Sequence, residues 1–222
     1  MHLKDFEAVR LDDAQLFELK KLVFEGEGLQ LEFKRKASYP EKIVRELIAF
    51  ANTEGGTLLV GVDDDKTIPG VKYPDEESFS IQEAIKYCKP KLIFHESILA
   101  ISENRFVVRY DVPQSAKRPH FQKTETGQEC YVREADKSIK ASREMQEIVK
   151  RSKKKKDVRF MYGEHERQLM QYLHTNNTIT LADFCSLTQL NRFRASRKMI
   201  LLVLANVLKI SATEKGDVYS RY

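Results

Sequence analysis

Cysteine is scarce in this chain, with three residues in 222. They are far apart and odd in number, which argues against a disulfide framework and against a zinc site. The five histidines also lack the spacing of metal ligands. Long hydrophobic runs are missing too, since the longest, residues 199–205, is far shorter than a membrane span. The first residues contain no apolar stretch of signal-peptide length, so we expect a cytosolic protein with no membrane partner.

The net charge of +5 is unevenly distributed along the chain. Residues 1–142 carry a net charge of −3, residues 143–162 carry +5 and residues 163–222 carry +3. Basic segments attract polyanions, so this asymmetry predicts a polyanionic partner for the C-terminal part. Lys153 and Lys154, within the basic run of residues 150–156, are candidates for phosphate contact. The alternative is a solvated tether that contacts nothing.

Residues 49–65, AFANTEGGTLLVGVDDD, are the stretch around which the N-terminal part is organised. Their apolar start closes a helix predicted from Pro40, and Gly55-Gly56 lets the chain reverse, because glycine adopts positive φ without a steric cost. Residues 57–62 are apolar without alternation, which predicts a strand buried on both faces. Three aspartates follow at its carboxyl end, where α/β folds often build sites. Taken alone, they also fit a solvated turn.

The other patterns predict an α/β or α+β domain followed by a smaller helical one. In the first part, helices are predicted over residues 12–24, 40–51, 76–88 and 142–149, and strands over residues 29–36, 97–102, 105–112 and 129–133. Residues 113–128 are expected to be irregular. In the second part, helices over residues 164–174, 180–187 and 191–208 precede two short strands around residues 214–217. This order resembles a winged helix-turn-helix.

Several pieces of the first part occur in the order of a known family. They are LEFK at residues 31–34, the central stretch, RPHF at residues 118–121 and YVR at residues 131–133. Together they resemble the AlbA-2 domain shared with the Schlafen proteins, over about residues 25–145. The resemblance implies an α+β fold with a mixed sheet and nucleic-acid binding. We therefore predict an AlbA-2-like domain over residues 1–149, a basic linker over 150–162 and a winged helix-turn-helix over 163–222.

The resemblance also implies a catalytic site. In nuclease-type Schlafen proteins the positions matching Glu27, Glu32 and Asp64 form a catalytic trio, which here implies bound Mg²⁺ or Mn²⁺ and ribonuclease chemistry. Five residues along a strand place two side chains on opposite faces, so Glu27 must lie in the turn at residues 26–28. Lys34 shares the face of Glu32 and is a candidate for holding phosphate. The alternative is a Glu32–Lys34 ion pair, with Glu27 a surface residue. ATP binding has no support, because the chain lacks G-x-x-x-x-G-K-[ST].

Nucleic-acid contact is predicted at two further places. The N-terminal turns of a recognition helix contact bases and phosphates, and the third predicted helix of the second part begins with four basic residues: Arg192, Arg194, Arg197 and Lys198. Arg118 and Lys123, in the segment of residues 113–128, are expected with Arg133 to form a basic rim on the first domain. The sequence thus predicts a DNA-binding transcriptional regulator, with DNA favoured over RNA. The alternatives are a metal-dependent endoribonuclease and a regulatory protein-interaction module. The oligomeric state stays open, a homo-oligomer included.

Overall fold

The structure, a computed structural model, describes residues 8–153, 158 and 160–222. These residues form two compact units that divide between Ser138 and Ile139. The division comes before residue 149, the predicted end of the first domain. The predicted linker lies partly outside the described residues, and so does most of its lysine run. None of the described helices is both long enough and apolar enough to cross a bilayer.

The first unit is built mainly of strands. They are β1 (Val9–Arg10), β2 (Leu31–Lys34), β3 (Gly55–Val60), β4 (Cys88–Lys89), β5 (His95–Ser102), β6 (Arg105–Pro113), β7 (Phe121–Thr124), β8 (Gly127–Glu129) and β9 (Tyr131–Glu134), and a tenth strand, β10 (Lys137–Lys140), runs across the division after Ser138. The helices are α1 (Asp13–Glu25), α2 (Pro40–Asn52) and α3 (Pro74–Ile85). A mixed sheet with flanking helices confirms the predicted α+β class.

A five-stranded sheet, in the order β1-β5-β6-β3-β2, forms the centre of this unit. Strand β3 pairs in parallel with β2 and antiparallel with β6. On one face, Leu58 and Val60 pack into a core with α2 and α3. On the other face, Leu59 packs with Phe33 and with Leu19 of α1. The central strand is therefore buried on both faces, as its apolar run predicts.

The segment from residue 113 to residue 128 is not irregular, contrary to the sequence prediction. It contains β7 and β8, which form a three-stranded sheet with β4 in the order β4-β7-β8. The hairpin is polar almost throughout, so its own sequence gives no strand pattern. Its partner β4 precedes it by about thirty residues, and pairing with β4 decides its structure more than local propensity does.

The second unit contains four helices and a hairpin among the residues described. The helices are α4 (Arg143–Ser152), α5 (Glu164–Thr175), α6 (Leu181–Thr188) and α7 (Arg192–Leu204), and the strands are β11 (Leu208–Ser211) and β12 (Val218–Arg221). Side chains cap three of the helices: Ser142 caps α4, Thr180 caps α6 and Asn191 caps α7. Helix α4 packs against α7 within this unit.

Helix α7 ends at Leu204, four residues before the predicted end at Leu208. The amide of Asn206 donates to the Val203 carbonyl at 3.0 Å, and the amide of Val207 donates to the Leu202 carbonyl at 2.9 Å. Asn206 has a φ of 56°, so this is a Schellman motif with asparagine in the left-handed position. Lys209, which directly follows the predicted helix end, consequently lies in β11.

Candidate functional site

Glu27 lies in the turn that leads into β2, the edge strand of the five-stranded sheet. Gly26 has a φ of 87°, and the amide of Gly28 donates to the Leu31 carbonyl at 2.9 Å, so the chain reverses before the strand begins. The reversal brings the Glu27 carboxylate back to β2, where its Oε1 atom accepts the Phe33 N–H at 2.8 Å. Glu27 thus lies in the turn at residues 26–28, the position it needs if its carboxylate is to come near Glu32.

Both carboxylate oxygens of Glu32 are engaged by cations of the protein. The Oε1 atom accepts from Nζ of Lys34, and the Oε2 atom accepts from Nη2 of Arg133 at 2.5 Å. Glu32 is buried, and an ionised carboxylate in that position needs such partners. Lys34 also donates to the Phe33 carbonyl at 2.9 Å. The Glu32–Lys34 ion pair, the alternative to a phosphate-holding lysine, is therefore present.

Asp64 is exposed in the turn after β3 and affects the titration of Glu27. Burial raises the pKa of the Glu27 carboxyl above its ordinary value, and the carboxylates of Glu32 and Asp64 raise it further. The three predicted acids thus share one electrostatic neighbourhood. Asp65 has a different role, because its Oδ1 atom accepts from the amide and the hydroxyl of Thr67 at 2.9 and 2.6 Å. These bonds lower the pKa of Asp65.

Proximity of three acids does not by itself make a metal site. A hard divalent cation takes several oxygen ligands that point at one position. Here both oxygens of Glu32 and one of Glu27 already accept hydrogen bonds. Among residues 8–153, 158 and 160–222, no group of three or more His, Cys, Asp or Glu side chains could hold a metal ion. In this arrangement the trio does not fit Mg²⁺ or Mn²⁺, and its catalytic role stays a prediction.

Arg133 does not lie on a basic rim, contrary to the sequence prediction, because its side chain is completely buried. Besides Glu32, it donates from Nη1 to Glu46 at 2.7 Å and from Nη2 to the Gly28 carbonyl at 2.9 Å. Its guanidinium also lies 5.1 Å from the ring centroid of Phe50. A guanidinium engaged in this way stabilises the fold and offers nothing to a phosphate.

Glu46 on α2 is a member of this network that sequence analysis missed. Its Oε2 atom accepts from Arg133 and from the hydroxyl of Ser138. Burial raises the pKa of Glu46, and the Glu32 carboxylate raises it further. Glu46 and Arg133 are 87 residues apart in the sequence, so no local pattern predicts their contact.

The remaining basic candidates of the first domain and the linker differ in their exposure. Arg118 is half-buried and donates from Nη1 to the Ser115 carbonyl at 3.0 Å. Burial lowers the pKa of Arg118. Lys153 is exposed at the C-terminus of α4, and Lys154 lies outside the described residues. Their contacts with phosphate stay predictions.

The N-terminal turns of α7 carry an exposed basic surface. Arg192, Arg194 and Arg197 are exposed, whereas Lys198 is half-buried and donates to Glu166 at 2.5 Å. Three of the four predicted basic residues thus face solvent, and one is paired inside the unit. Phe193, which sequence analysis missed, is 76% exposed between two of these arginines. The signal was present, because the helical period places Phe193 on the side of α7 opposite the buried Ala195, Met199 and Leu202.

Comparison with known proteins identifies the first unit. The family model described as Schlafen, AlbA_2 matches residues 27–142, which is more than half of the chain. No curated protein matches the sequence. Among solved structures, the DIP2311 protein from Corynebacterium diphtheriae is similar, with 14% sequence identity and a TM-score of 0.44. The alignment covers 94% of this chain and 38% of that protein, so the chain spans well under half of its length.

Proposed function

The chain belongs to the Schlafen AlbA_2 family, and from this premise we propose that it binds duplex DNA through the N-terminal turns of α7, as a transcriptional regulator. The family suggests a nucleic-acid-related function. DNA is favoured over RNA because the second unit offers an exposed helix, which fits a major groove, whereas the major groove of duplex RNA is too narrow for side chains.

The arrangement of α7 is the observation that carries this proposal. Three arginines and Phe193 are exposed on its first two turns, while Ala195, Met199 and Leu202 are buried in the core of the unit. The first turn has no acidic side chain, so the positive end of the helix dipole is available to a phosphate. Arginines can also read guanine edges, and an apolar side chain can contact a thymine methyl group.

The order of elements in the second unit supports a winged helix-turn-helix. Helix α6 is followed closely by α7, since only residues 189–191 separate them, and Gln189 adopts a left-handed conformation with a φ of 54°. The hairpin β11–β12 follows α7, and Ile179, just before α6, bridges to Tyr219 of β12. Three helices followed by a small sheet in this order support the proposal that α7 is the recognition helix.

Duplex binding by the full chain tests the proposal. Arg194→Ala combined with Arg197→Ala is expected to weaken binding to a short mixed-sequence duplex at least about tenfold, because a good arginine contact to a base contributes about 1–3 kcal/mol. If both arginines contact phosphates instead, the slope of log K against log salt falls by about 1.8. Fluorescence anisotropy of a labelled duplex at several salt concentrations measures both quantities.

A matched control removes the same charge elsewhere in the second unit. Arg167 and Lys209 are exposed on α5 and β11, so Arg167→Ala with Lys209→Ala is expected to change duplex affinity by less than the α7 variant does. Lys198→Ala is also expected to have the smaller effect, since Lys198 is paired with Glu166. Equal affinity of the wild type and the α7 variant contradicts the proposal and favours a unit that binds protein.

A metal-dependent endoribonuclease is the second candidate, and the shared neighbourhood of Glu27, Glu32 and Asp64 favours it. Against it stand the two ion pairs of Glu32, which a metal ion would have to displace. Cleavage of a labelled RNA that requires Mn²⁺ and is lost in Glu32→Gln would support this candidate. The same RNA left intact by the wild type at all metal concentrations would exclude it.

A further inference from the structure

The three-stranded sheet β4-β7-β8 has one buried face and one exposed face. Cys88 and Gln122, which pair across β4 and β7, are buried. Their neighbours along each strand point the opposite way, because successive side chains of a strand alternate between faces. We call this exposed surface the Tyr87 face, and it consists of Tyr87, Lys89, Phe121, Lys123 and Gln128.

The Tyr87 face alternates aromatic and cationic side chains in two directions. The amide of Lys123 donates to the Tyr87 carbonyl at 3.0 Å, which places this lysine opposite Tyr87. In the next row Lys89 pairs with Phe121. Directly paired side chains are about 5 Å apart, so each aromatic ring has a lysine beside it on the neighbouring strand. Rings and ammonium groups thus alternate both along each strand and between the two neighbouring strands.

Exposure shows that the described residues of the first unit leave most of this face uncovered. Tyr87 is 61% exposed, Lys89, Lys123 and Gln128 are exposed, and Phe121 is half-buried. None of the five side chains is acidic. Two acids lie near the face in the sequence: Glu125, in the turn between β7 and β8, and Glu129, which pairs with Gln122 and so belongs to the other face of the sheet. The face is therefore positively charged and rich in exposed aromatic surface.

We infer that the Tyr87 face binds a single-stranded polynucleotide, with a base stacked on Tyr87 and the backbone phosphates on Lys89 and Lys123. Charge complementarity selects a polyanion, and the exposed ring selects one with flat, accessible faces. In a duplex the faces of the bases are covered by their neighbours, so single strands fit this surface better. The inference rests on nucleic-acid binding by the chain. It concerns a different surface from α7, and single-stranded nucleic acid where the α7 proposal concerns a duplex.

The absence of tryptophan from the chain permits a direct test of stacking. Tyr87→Trp introduces a single indole at the proposed stacking position and keeps an aromatic ring there. Its fluorescence is expected to be quenched when the full chain is titrated with oligothymidylate or oligouridylate of about 15 nucleotides, a length that covers one single-strand site. Both are expected to quench, because stacking is tolerant of base and sugar.

Tyr73→Trp provides the matched control. Tyr73 is 56% exposed and lies next to Lys72, whose Nζ atom is 5.3 Å from the ring centroid, but it is not on the Tyr87 face. Its indole is expected to keep its fluorescence during the same titrations. Quenching of both indoles to the same extent would show non-specific binding and would overturn the inference.

Affinity gives a second readout. Tyr87→Ala is expected to weaken binding of both oligonucleotides about 5- to 150-fold, which corresponds to 1–3 kcal/mol for one stacked base, while Tyr87→Trp binds as the wild type does. Tyr73→Ala is expected to bind normally. Because Tyr87 is exposed, Tyr87→Ala is expected to unfold at the wild-type temperature, which a thermal scan checks. Wild-type affinity in Tyr87→Ala would overturn the inference.

A polyglutamate peptide of the same charge as the oligonucleotide distinguishes bases from charge alone. It is expected to compete weakly, because it has no flat rings. Competition equal to that of oligothymidylate would assign the face to an acidic protein and overturn the inference.

The duplex experiment is separate: Tyr87→Ala is expected to keep wild-type duplex affinity. A wild type that binds duplex but no single strand refutes this inference alone, and one that binds only single strands refutes the α7 proposal alone.

Discussion

The Nη2 atom of Arg133 lies 2.5 Å from the Oε2 atom of Glu32, and the arginine side chain is completely buried. Arg133→Met is expected to lower the free energy of unfolding by about 3–5 kcal/mol, because the buried Glu32 would keep only Lys34 and the half-buried Glu46 would lose its ion pair. Urea denaturation followed by circular dichroism measures this change.

Arg109→Met is the control for that variant. Arg109 pairs with Asp111 at 2.8 Å, but both side chains are more than one-third exposed. Its loss is expected to cost less than about 1 kcal/mol, since water replaces the partner. Equal destabilisation by the two variants would contradict the importance of burial at Arg133.

Metal binding at the acidic trio is expected to be weak in the wild type, because Lys34 and Arg133 occupy Glu32. Calorimetric titration with Mn²⁺ should show no saturable binding at micromolar concentrations. Lys34→Ala frees one oxygen of Glu32 and is expected to raise the affinity for Mn²⁺. Saturable binding in the wild type that is lost in Glu32→Ala and Asp64→Ala, and kept in Asp65→Ala, would instead establish the predicted metal trio.

Asp217 is expected to make the stability of the second unit depend on pH. Burial raises its pKa, and the Glu144 carboxylate raises it further, while Ser142 donates a hydrogen bond to it. The folded state therefore holds the proton more tightly than the unfolded state, so the free energy of unfolding falls as pH rises above about 3.9. Asp217→Asn is expected to remove this decline, and thermal denaturation between about pH 4 and pH 7 measures it.

Asp65 is expected to affect stability in the opposite direction, so Asp65→Asn should remove a loss of stability at low pH. Thr67 lowers the pKa of Asp65, so the contribution of this carboxylate is present at neutral pH and is lost as pH falls. A wild type and an Asp217→Asn variant with parallel stability profiles over this range would contradict the assignment of Asp217.

Trypsin is expected to cleave first in the basic run of residues 150–156, where seven consecutive positions offer six cleavage sites. The two products are expected to elute together on gel filtration. The N-terminal product would carry α4, whose Glu144 accepts from Ser196 of α7 at 2.8 Å. First cleavage inside β2 or β3 would contradict the predicted organisation, and separate elution would contradict the packing of α4 on α7.

The sequence predicted elements whose signals are local. The apolar run of β3 was read correctly, and the predicted starts of α1 and α7 at residues 12 and 191 lie within one residue of the observed starts. It also predicted the family, which the match to residues 27–142 confirms. The end of α7 was missed although Asn206 marks it, because the apolar pattern continues through residue 208.

The errors concern contacts between distant parts of the chain. Arg133 follows two apolar residues in a short strand and looks like an ordinary surface cation there. Its burial depends on Glu32 and Glu46, which precede it by 101 and 87 residues. The β7–β8 hairpin likewise depends on β4. The catalytic role of the acidic trio stays a prediction, because the engagement of Glu32 by Lys34 and Arg133 depends on tertiary contacts that spacing does not determine.

Strand β2 ends the five-stranded sheet, and its outward hydrogen-bonding groups are occupied by side chains of the same unit. Glu27 accepts the Phe33 N–H, Lys34 donates to the Phe33 carbonyl and Arg133 donates to the Leu31 carbonyl. A bare edge recruits strands from other molecules and so begins aggregation. With these three groups taken, β2 offers a second copy of the chain fewer free groups for pairing. The charged residues around Glu32 therefore also protect this edge of the sheet, in addition to any role in a site.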